Sequence, residues 1–132
     1  MRVAVFGARG TLGAAIVQGF PGSDVVHDVF AFDRSTVDIT SHESVERAIR
    51  RVNPDVLINC AAYNAVDAAE DHAVDALMAN AFAVRTLARA ARAHDVSLVH
   101  YSSDFVFDGT AGRPHTEADP PNPRSVWAAR CL

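Results

Sequence analysis

The sequence lacks the features of a secreted, membrane-spanning or metal-binding protein. It has only two cysteines, Cys60 and Cys131, which form neither a disulfide framework nor a metal-ligand pattern. It contains no signal-peptide pattern and no apolar stretch long enough to span a bilayer. Its six histidines are scattered without ligand spacing. We therefore expect no metal, no membrane association and a reduced, cytoplasmic setting.

Positive charge is also scarce, because the formal net charge is -4. This balance argues against a nucleic-acid partner, which would attract a basic surface. The composition is otherwise that of an ordinary globular protein, with 49% hydrophobic and 21% charged residues. A chain of 132 residues is long enough for one domain with a hydrophobic core.

Three glycines spaced three apart follow an apolar run, Val3–Phe6, at the start of the chain. In a strand–turn–helix unit, Gly7 allows a tight turn, Gly10 lets the backbone approach a pyrophosphate, and Gly13 lets the helix pack close to the strand. The N-terminus of that helix offers unpaired N–H groups to the phosphates of a dinucleotide. The residues of this segment predicted to bind the cofactor are Gly7, Arg9, Gly10, Thr11, Leu12 and Gly13.

Strand and helix patterns alternate along the chain. The predicted strands are 2–6, 29–32, 56–58 and 96–101. The predicted helices are 11–20, ended by Pro21-Gly22, then a helix through Val52 with a capping box at Thr40-Ser41-His42-Glu43, and a short and a long helix between 66 and 95. The long segment carries an apolar stripe at Ala76, Leu77, Ala83, Val84, Leu87, Ala88 and Ala91, and from Gly109 onward a loop is expected. The pattern predicts an α/β fold, a Rossmann-like doubly wound parallel sheet that is incomplete at its C-terminus.

Asp33 ends the second predicted strand, twenty positions after Gly13. An acidic residue there typically accepts hydrogen bonds from the adenosine ribose and favours NAD. Arg34 follows directly, and Arg9 lies inside the glycine turn, so either cation could pair with the 2′-phosphate of NADP. The alternatives are that Asp33 is a solvated carboxylate at a strand end and that the arginines are surface cations. The cofactor is therefore predicted as NADPH or NADH, with the choice left open.

Several longer runs carry a family resemblance. They are Asp38-Ile39-Thr40, Asn53-Pro54-Asp55-Val56, Asn59-Cys60-Ala61-Ala62-Tyr63, Ala65-Val66-Asp67-Ala68-Ala69-Glu70, Tyr101-Ser102-Ser103-Asp104-Phe105-Val106-Phe107-Asp108-Gly109 and Glu117-Ala118-Asp119-Pro120-Pro121-Asn122-Pro123. From Val3 to Val126 the chain resembles the N-terminal part of the dTDP-4-dehydrorhamnose reductase family, which are extended short-chain dehydrogenases/reductases. The resemblance implies an oxidoreductase that uses NADPH or NADH to reduce the 4-keto group of a dTDP-linked deoxysugar, in the last step of dTDP-L-rhamnose biosynthesis.

The resemblance also implies roles for individual residues. Asp38 and Ile39 would lie along the adenine, and Asn80 would face the site from the long helix. Three further residues would line the cofactor after the strand that precedes them, namely Ala61, Ala62 and Tyr63. For Tyr63, a position on a surface loop is the alternative.

Ser103 stands where the family has the hydroxyl residue of its catalytic triad. A hydroxyl there could donate to the substrate oxygen that gains charge during hydride transfer. Four neighbours would flank the sugar-nucleotide pocket, namely Ser102, Asp104, Phe105 and Phe107. The alternatives are capping of a strand end for the two serines and core packing for the two phenylalanines.

The resemblance breaks at Trp127 and Cys131, which occupy the positions of the family's catalytic tyrosine and lysine. An indole N–H does not titrate near neutral pH, and a thiol cannot supply a fixed positive charge. We therefore expect the chain to be catalytically incompetent.

The chain is interpreted as a truncated NAD(P)-binding domain over residues 1–132, with the family's substrate domain absent. We hypothesise that its last six residues come from a shifted reading frame or a truncated gene copy, which translation of the adjoining DNA in the other frames would test. An exposed sheet edge is then expected to favour homo-oligomerisation or aggregation. Three functions stay open: an inactive reductase by descent, a noncatalytic dinucleotide-binding or regulatory module, and a nonfunctional fragment.

Overall fold

The computed structural model describes residues 1–20, 26–129 and 131, so the predicted helix breaker Pro21-Gly22 lies outside the described residues. The strands are β1 (Arg2–Phe6), β2 (Asp28–Phe32), β3 (Val56–Asn59) and β4 (Ser97–His100). The helices are α1 (Thr11–Gly19), α2 (His42–Val52), α3 (Ala68–Asp71), α4 (Ala73–Leu77), α5 (Ala83–Ala93) and α6 (Val126–Ala129). A π-helical turn at Met78–Phe82 joins α4 to α5, and a 3-10 turn spans Asp104–Val106.

The four strands form one parallel sheet in the order β2-β1-β3-β4. At its centre, Val5 of β1 pairs with Ala31 of β2 on one side and with Ile58 of β3 on the other. The chain adds β2 on one side of β1 and then crosses to place β3 on the other side. This reversal creates a switch point between β1 and β3, where parallel α/β sheets open a crevice at their carboxyl edge.

Helices cover both faces of the sheet, which confirms the predicted doubly wound α/β fold. On one face, α2 and α5 pack against β1 and β3 in a core that includes Phe6, Ile49, Leu57 and Leu87. On the other face, α1 packs against a smaller core of Val3, Val5, Ala8 and Ile58. Because the central strands β1 and β3 are buried on both sides, their apolar residues run without the alternation of a half-exposed strand.

Helix α2 begins one residue later than its sequence pattern suggests. The predicted capping box would make Thr40 the N-cap, but Ser41 holds that position and its hydroxyl accepts a hydrogen bond from the Ser44 amide at 3.3 Å. Glu43 instead pairs with Arg47 at 2.6 Å, one turn along the same helix. The predicted capping box is therefore not formed, because Ser41, the second residue of the motif, caps the first turn of α2 in place of Thr40.

The helical region between residues 66 and 95 is more divided than predicted. Its buried positions are Ala69, Ala76, Asn80, Ala83, Leu87, Ala90 and Ala91. Ala88 is exposed, so the predicted stripe is wrong there, and Ala90 faces the core instead. The π-helical turn changes the helical phase, which a pattern read at a constant 3.6-residue period cannot follow.

Two further features are the segment after Gly109 and the outer edge of β4. The loop expected after Gly109 also contains α6, a single helical turn. The outer edge of β4 has no partner strand among the described residues, and Val99 and Tyr101 beside it are exposed. Within residues 1–20, 26–129 and 131, no helix combines the length and the apolar character needed to cross a membrane.

We expect Leu87→Ala to lower the free energy of unfolding by about 2–5 kcal/mol, because Leu87 is fully buried between the sheet and α2. Ala88→Gln, at the next position of the same helix, should change it by less than about 0.5 kcal/mol, because that side chain faces solvent. Urea denaturation of both variants measures the difference. Equal destabilisation would contradict the helical phase described here.

Candidate dinucleotide site

The glycine turn lies where the carboxyl ends of β1 and β3 meet. Gly7 has a positive φ of 78°, and a Cβ atom there would lie 2.6 Å from the Ala61 amide nitrogen. A Cβ atom on Gly13 would overlap the carbonyl oxygen of Gly7, so Gly13 brings α1 against the turn rather than against the strand itself. Neither position can carry a side chain without moving the backbone.

Gly10 differs from the other two glycines because its missing side chain leaves space. A Cβ atom there would meet only the Gly7 carbonyl, at 3.3 Å, and the backbone dihedrals are extended. Its own amide donates to Gly7 at 3.0 Å, and its carbonyl accepts from Ala14 at 2.9 Å. The amides of Thr11 and Leu12 belong to the first turn of α1, whose N–H groups have no acceptor within a helix and can bind an anion.

A cleft of about 810 Å³ runs along the carboxyl edge of the sheet beside this turn. Ten of the residues predicted to bind the cofactor line it: Gly7, Arg9, Gly10, Asp33, Arg34, Asp38, Ile39, Ala61, Ala62 and Tyr63. The prediction missed Val37, Thr40, Asn64, Asp75, Met78 and Ala79, which also line it. Met78 and Ala79 lie in the π-helical turn, and no sequence signal places that turn against the sheet.

Asp33 follows β2 and is held by its own loop. Its Oδ1 atom accepts from the amide of Ser35 at 2.9 Å and the hydroxyl of Ser35 at 2.5 Å, while Oδ2 faces Nη1 of Arg9 at 3.4 Å. The hydrogen bonds from Ser35, with smaller contributions from Thr36 and Arg9, lower the pKa of Asp33 to about 2. The carboxylate is therefore ionised at any pH near neutrality, with one oxygen committed to the loop and the other directed towards a cation.

Asp38 forms a similar turn farther along the cleft. Its Oδ1 accepts from the amide of Thr40 at 2.9 Å and the hydroxyl of Thr40 at 2.7 Å. The Thr40 hydroxyl is the main cause of the lowered pKa of Asp38. Ile39 packs against the larger core and also lines the cleft. This loop gives the cleft an apolar wall next to an ionised carboxylate.

Asn80 and Trp127 meet at the backbone of Tyr63. The Asn80 side chain accepts from the Tyr63 amide at 2.8 Å and donates to the Tyr63 carbonyl at 3.1 Å. The indole N–H of Trp127 donates to the same carbonyl at 2.5 Å. Asn80 is almost fully buried, and both its polar atoms are engaged by the loop. It therefore positions the segment that lines the cleft rather than reaching across it.

A smaller cleft of about 270 Å³ lies on the other side of the glycine turn. It shares Gly10, Cys60, Ala61, Ala62 and Asn64 with the larger one. Its remaining predicted residues are Thr11, Leu12, Asn80, Ser102, Ser103, Trp127 and Cys131. The prediction missed Asn59, His100 and Tyr101, although the ends of two parallel strands meet at this edge of the sheet.

The buried side chain of Asn59 pairs with the more exposed ring of His100 in this smaller cleft. The Asn59 Oδ1 atom accepts from the Ala61 amide at 3.1 Å, so its amide nitrogen faces Nδ1 of His100, also at 3.1 Å. Nδ1 is therefore the acceptor, and the ring proton lies on Nε2. Burial lowers the pKa of His100, so the ring is neutral at pH 7.

Residues 102–107 form hydrogen bonds and ring contacts that stabilise the C-terminal segment. The Ser103 hydroxyl accepts from the Phe105 amide at 3.2 Å and so caps the 3-10 turn, while Ser102 donates to the Cys131 carbonyl at 3.1 Å. Phe105 is exposed and lies edge-on to Trp127, so the alternative interpretation of Phe105 as a core residue is wrong. Phe107 stacks on His115.

Asp104, Phe105 and Phe107 line neither cleft. The substrate roles predicted for this segment stay predictions, as does the catalytic role of Ser103. Among the described residues, no group of three or more His, Cys, Asp or Glu side chains comes together to hold a metal ion.

Fold and cleft together define a Rossmann-like α/β domain with a glycine turn at its switch point. A family model described as the RmlD substrate binding domain matches residues 1–130. The chain belongs to this family. The described residues within that match form the parallel sheet and the glycine turn.

The relatives are reductases and epimerases of nucleotide sugars. The dTDP-4-dehydrorhamnose reductase of Burkholderia thailandensis is 37% identical over 132 residues, which are 100% of this chain and 43% of that protein. The crystal structure of the Bacillus anthracis dTDP-4-dehydrorhamnose reductase in complex with NADP is 32% identical, with a TM-score of 0.92 over 98% of this chain and 45% of that one. The Thermus thermophilus UDP-glucose 4-epimerase in complex with NAD is 27% identical, with a TM-score of 0.88 over 99% of this chain and 47% of that one. The chain thus spans less than half the length of these proteins.

We expect Asn80→Leu to lower stability by about 2–4 kcal/mol, because it leaves the Tyr63 amide without its acceptor and the carbonyl with one donor fewer. Trp127→Phe should lower it by only about 1 kcal/mol, because the Tyr63 carbonyl keeps its bond to Asn80. Thermal unfolding followed by circular dichroism gives the order of the two effects. The reverse order would show that the indole, not the amide, holds the cleft loop.

Proposed function

We propose that residues 1–132 form an NAD(P)-binding Rossmann domain of the dTDP-4-dehydrorhamnose reductase type, and that this chain holds NADPH or NADH without transferring hydride itself. The observation that carries the proposal is the glycine turn at the switch point, with an open cleft on either side. The relatives are named for reduction of a dTDP-linked sugar. That substrate class enters the proposal only through them.

The residues present fit a dinucleotide. The space that a side chain at Gly10 would fill is open, as a pyrophosphate lying against the backbone requires. Adjacent to it are the first N–H groups of α1, where the helix dipole favours an anion. Ile39 and Met78 supply apolar surface for an adenine in the larger cleft. When bound, the cofactor would supply the hydride of the family's chemistry, while these residues bind and orient it.

The charges around Asp33 support both forms of the cofactor. The Oδ2 atom of Asp33 can accept from the ribose hydroxyls of NADH. Arg9 is largely exposed and, with Arg34, lies at the same end of the cleft, where two guanidinium groups can offset a 2′-phosphate. Because Asp33 already pairs with Arg9, its charge is partly compensated before any ligand arrives. The site is thus suited to either dinucleotide.

Hydride transfer to a ketone also requires a proton donor, which this chain lacks at the family's position. Trp127 stands there, and its N–H is taken up by the Tyr63 carbonyl. Burial raises the pKa of the Cys131 thiol, so the position of the family's lysine carries no charge. The chain has no lysine at all, since its twelve basic residues other than histidine are all arginine. These replacements favour a noncatalytic dinucleotide-binding or regulatory module.

We infer that homo-oligomerisation, if it occurs, uses the β4 edge. Val99 and Tyr101 lie exposed beside that unpaired edge of the described sheet. A parallel edge with apolar neighbours is a surface that another strand can extend.

We expect Gly10→Val to reduce NADPH and NADH affinity at least ~10-fold, because a branched side chain would occupy the place of the pyrophosphate. The fold should persist, since the added Cβ atom meets only one carbonyl, at 3.3 Å. Isothermal titration calorimetry measures the affinities, and circular dichroism checks the fold.

Gly19→Val is the matched control, because a side chain at that end of α1 enters open space far from the turn. It should bind as the parent chain does. Unchanged affinity in Gly10→Val would place the diphosphate elsewhere. A parent chain that is well folded but binds neither cofactor at millimolar concentration would overturn the proposal, whereas absence of binding with a noncooperative melt would support the nonfunctional fragment.

A further inference from the structure

We propose that the site does not discriminate between the oxidised and the reduced forms of its dinucleotide, so that the chain binds by the ADP-ribose half alone. This inference rests on the proposed function and deepens it. It concerns which chemical part of the ligand the protein recognises. Its basis is the unequal distribution of charged side chains between the two clefts on either side of the glycine turn.

The two clefts define two halves of one site. Gly10 lines both, and so does the segment Cys60–Ala62 opposite it, so a diphosphate on the glycine turn would have one arm in each cleft. Asp33 and Arg34 assign the adenosine arm to the larger cleft. The nicotinamide arm then lies in the smaller cleft, between the ends of β3 and β4 and the start of α6.

Among the described residues that line the two clefts, all formal charges at pH 7 lie on the adenosine side. The charged residues that line the larger cleft are Arg9, Asp33, Arg34, Asp38 and Asp75. Among the described residues that line the smaller cleft there is no Asp, Glu, Lys or Arg. Its histidine is neutral, because burial lowers the pKa of His100. Burial also raises the pKa of the two thiols, Cys60 and Cys131, which are therefore protonated.

This arrangement removes attraction or repulsion by a fixed charge as a basis for redox discrimination. The oxidised nicotinamide ring carries one positive charge that the reduced ring lacks, whereas the adenosine half is identical in the two forms. A fixed charge close to the ring would change the relative affinity of the two forms, since unit charges a few ångströms apart interact by several kcal/mol at a protein surface. The resemblance places a lysine where this chain has Cys131. That replacement leaves the smaller cleft without a fixed charge among the residues that the structure describes.

The test compares three probes on the intact chain by isothermal titration calorimetry: NADPH, NADP+ and 2′-phospho-ADP-ribose, which lacks nicotinamide. Quenching of Trp127, the single tryptophan, provides a second readout next to the smaller cleft. We expect the three dissociation constants to agree within about threefold. A tenfold or larger preference for one redox form, or a tenfold loss with 2′-phospho-ADP-ribose, overturns the inference while the proposed function stands. Absence of binding by all three overturns both.

A charge introduced into the smaller cleft provides the positive control. Cys131→Lys should weaken NADP+ relative to NADPH by about fivefold or more, because the ammonium would repel the oxidised ring. Cys131→Met adds a side chain of comparable length without charge. A change in affinity shared by both variants would therefore be due to the size of the side chain rather than its charge. An unchanged NADP+ to NADPH ratio in a folded Cys131→Lys variant would show that the nicotinamide arm does not lie in this cleft, which overturns the inference.

Discussion

The close approach of Gly7 to Ala61 is the constraint on which the site depends. The backbone after β1 turns with a positive φ and passes so near the backbone after β3 that no side chain fits between them. This contact sets the glycine turn at the point where the strand order reverses. It also places Gly10, the residue just before α1, where it lines both clefts.

A second set of contacts keeps the opposite wall in place. The Tyr63 backbone forms hydrogen bonds with Asn80 of the π-helical turn and with Trp127 of α6, and these two elements are far apart in the chain. Two donors on one carbonyl hold the loop that lines both clefts. Trp127, where the resemblance implies a proton donor, thus holds a wall of the cleft in place. An indole can do this because its N–H donates strongly but does not ionise.

The larger cleft is lined by charged side chains and the smaller one is not, among the described residues. Local contacts and burial explain the difference. In the larger cleft, hydrogen bonds within short turns keep the carboxylates of Asp33 and Asp38 ionised, and Arg9 lies close enough to offset the charge of Asp33. On the other side, burial keeps His100 and Cys131 in their neutral forms. The proposed dinucleotide site thus pairs a charged cleft with one whose described lining residues carry no formal charge at pH 7. Both properties follow from the residues that surround one glycine turn.

The sequence by itself determined the parallel α/β fold, the glycine turn and the carboxylate after β2, because strand periodicity, glycine spacing and a strand-end acid are all local signals. It did not determine the N-cap of α2, where two neighbouring residues could each serve and Ser41 holds the position. Nor did it reveal that Asn80 clamps a loop, or that Asn59 orients His100. Those roles arise only when the ends of separate strands and a π-helical turn come together, and spacing along the chain does not encode that proximity.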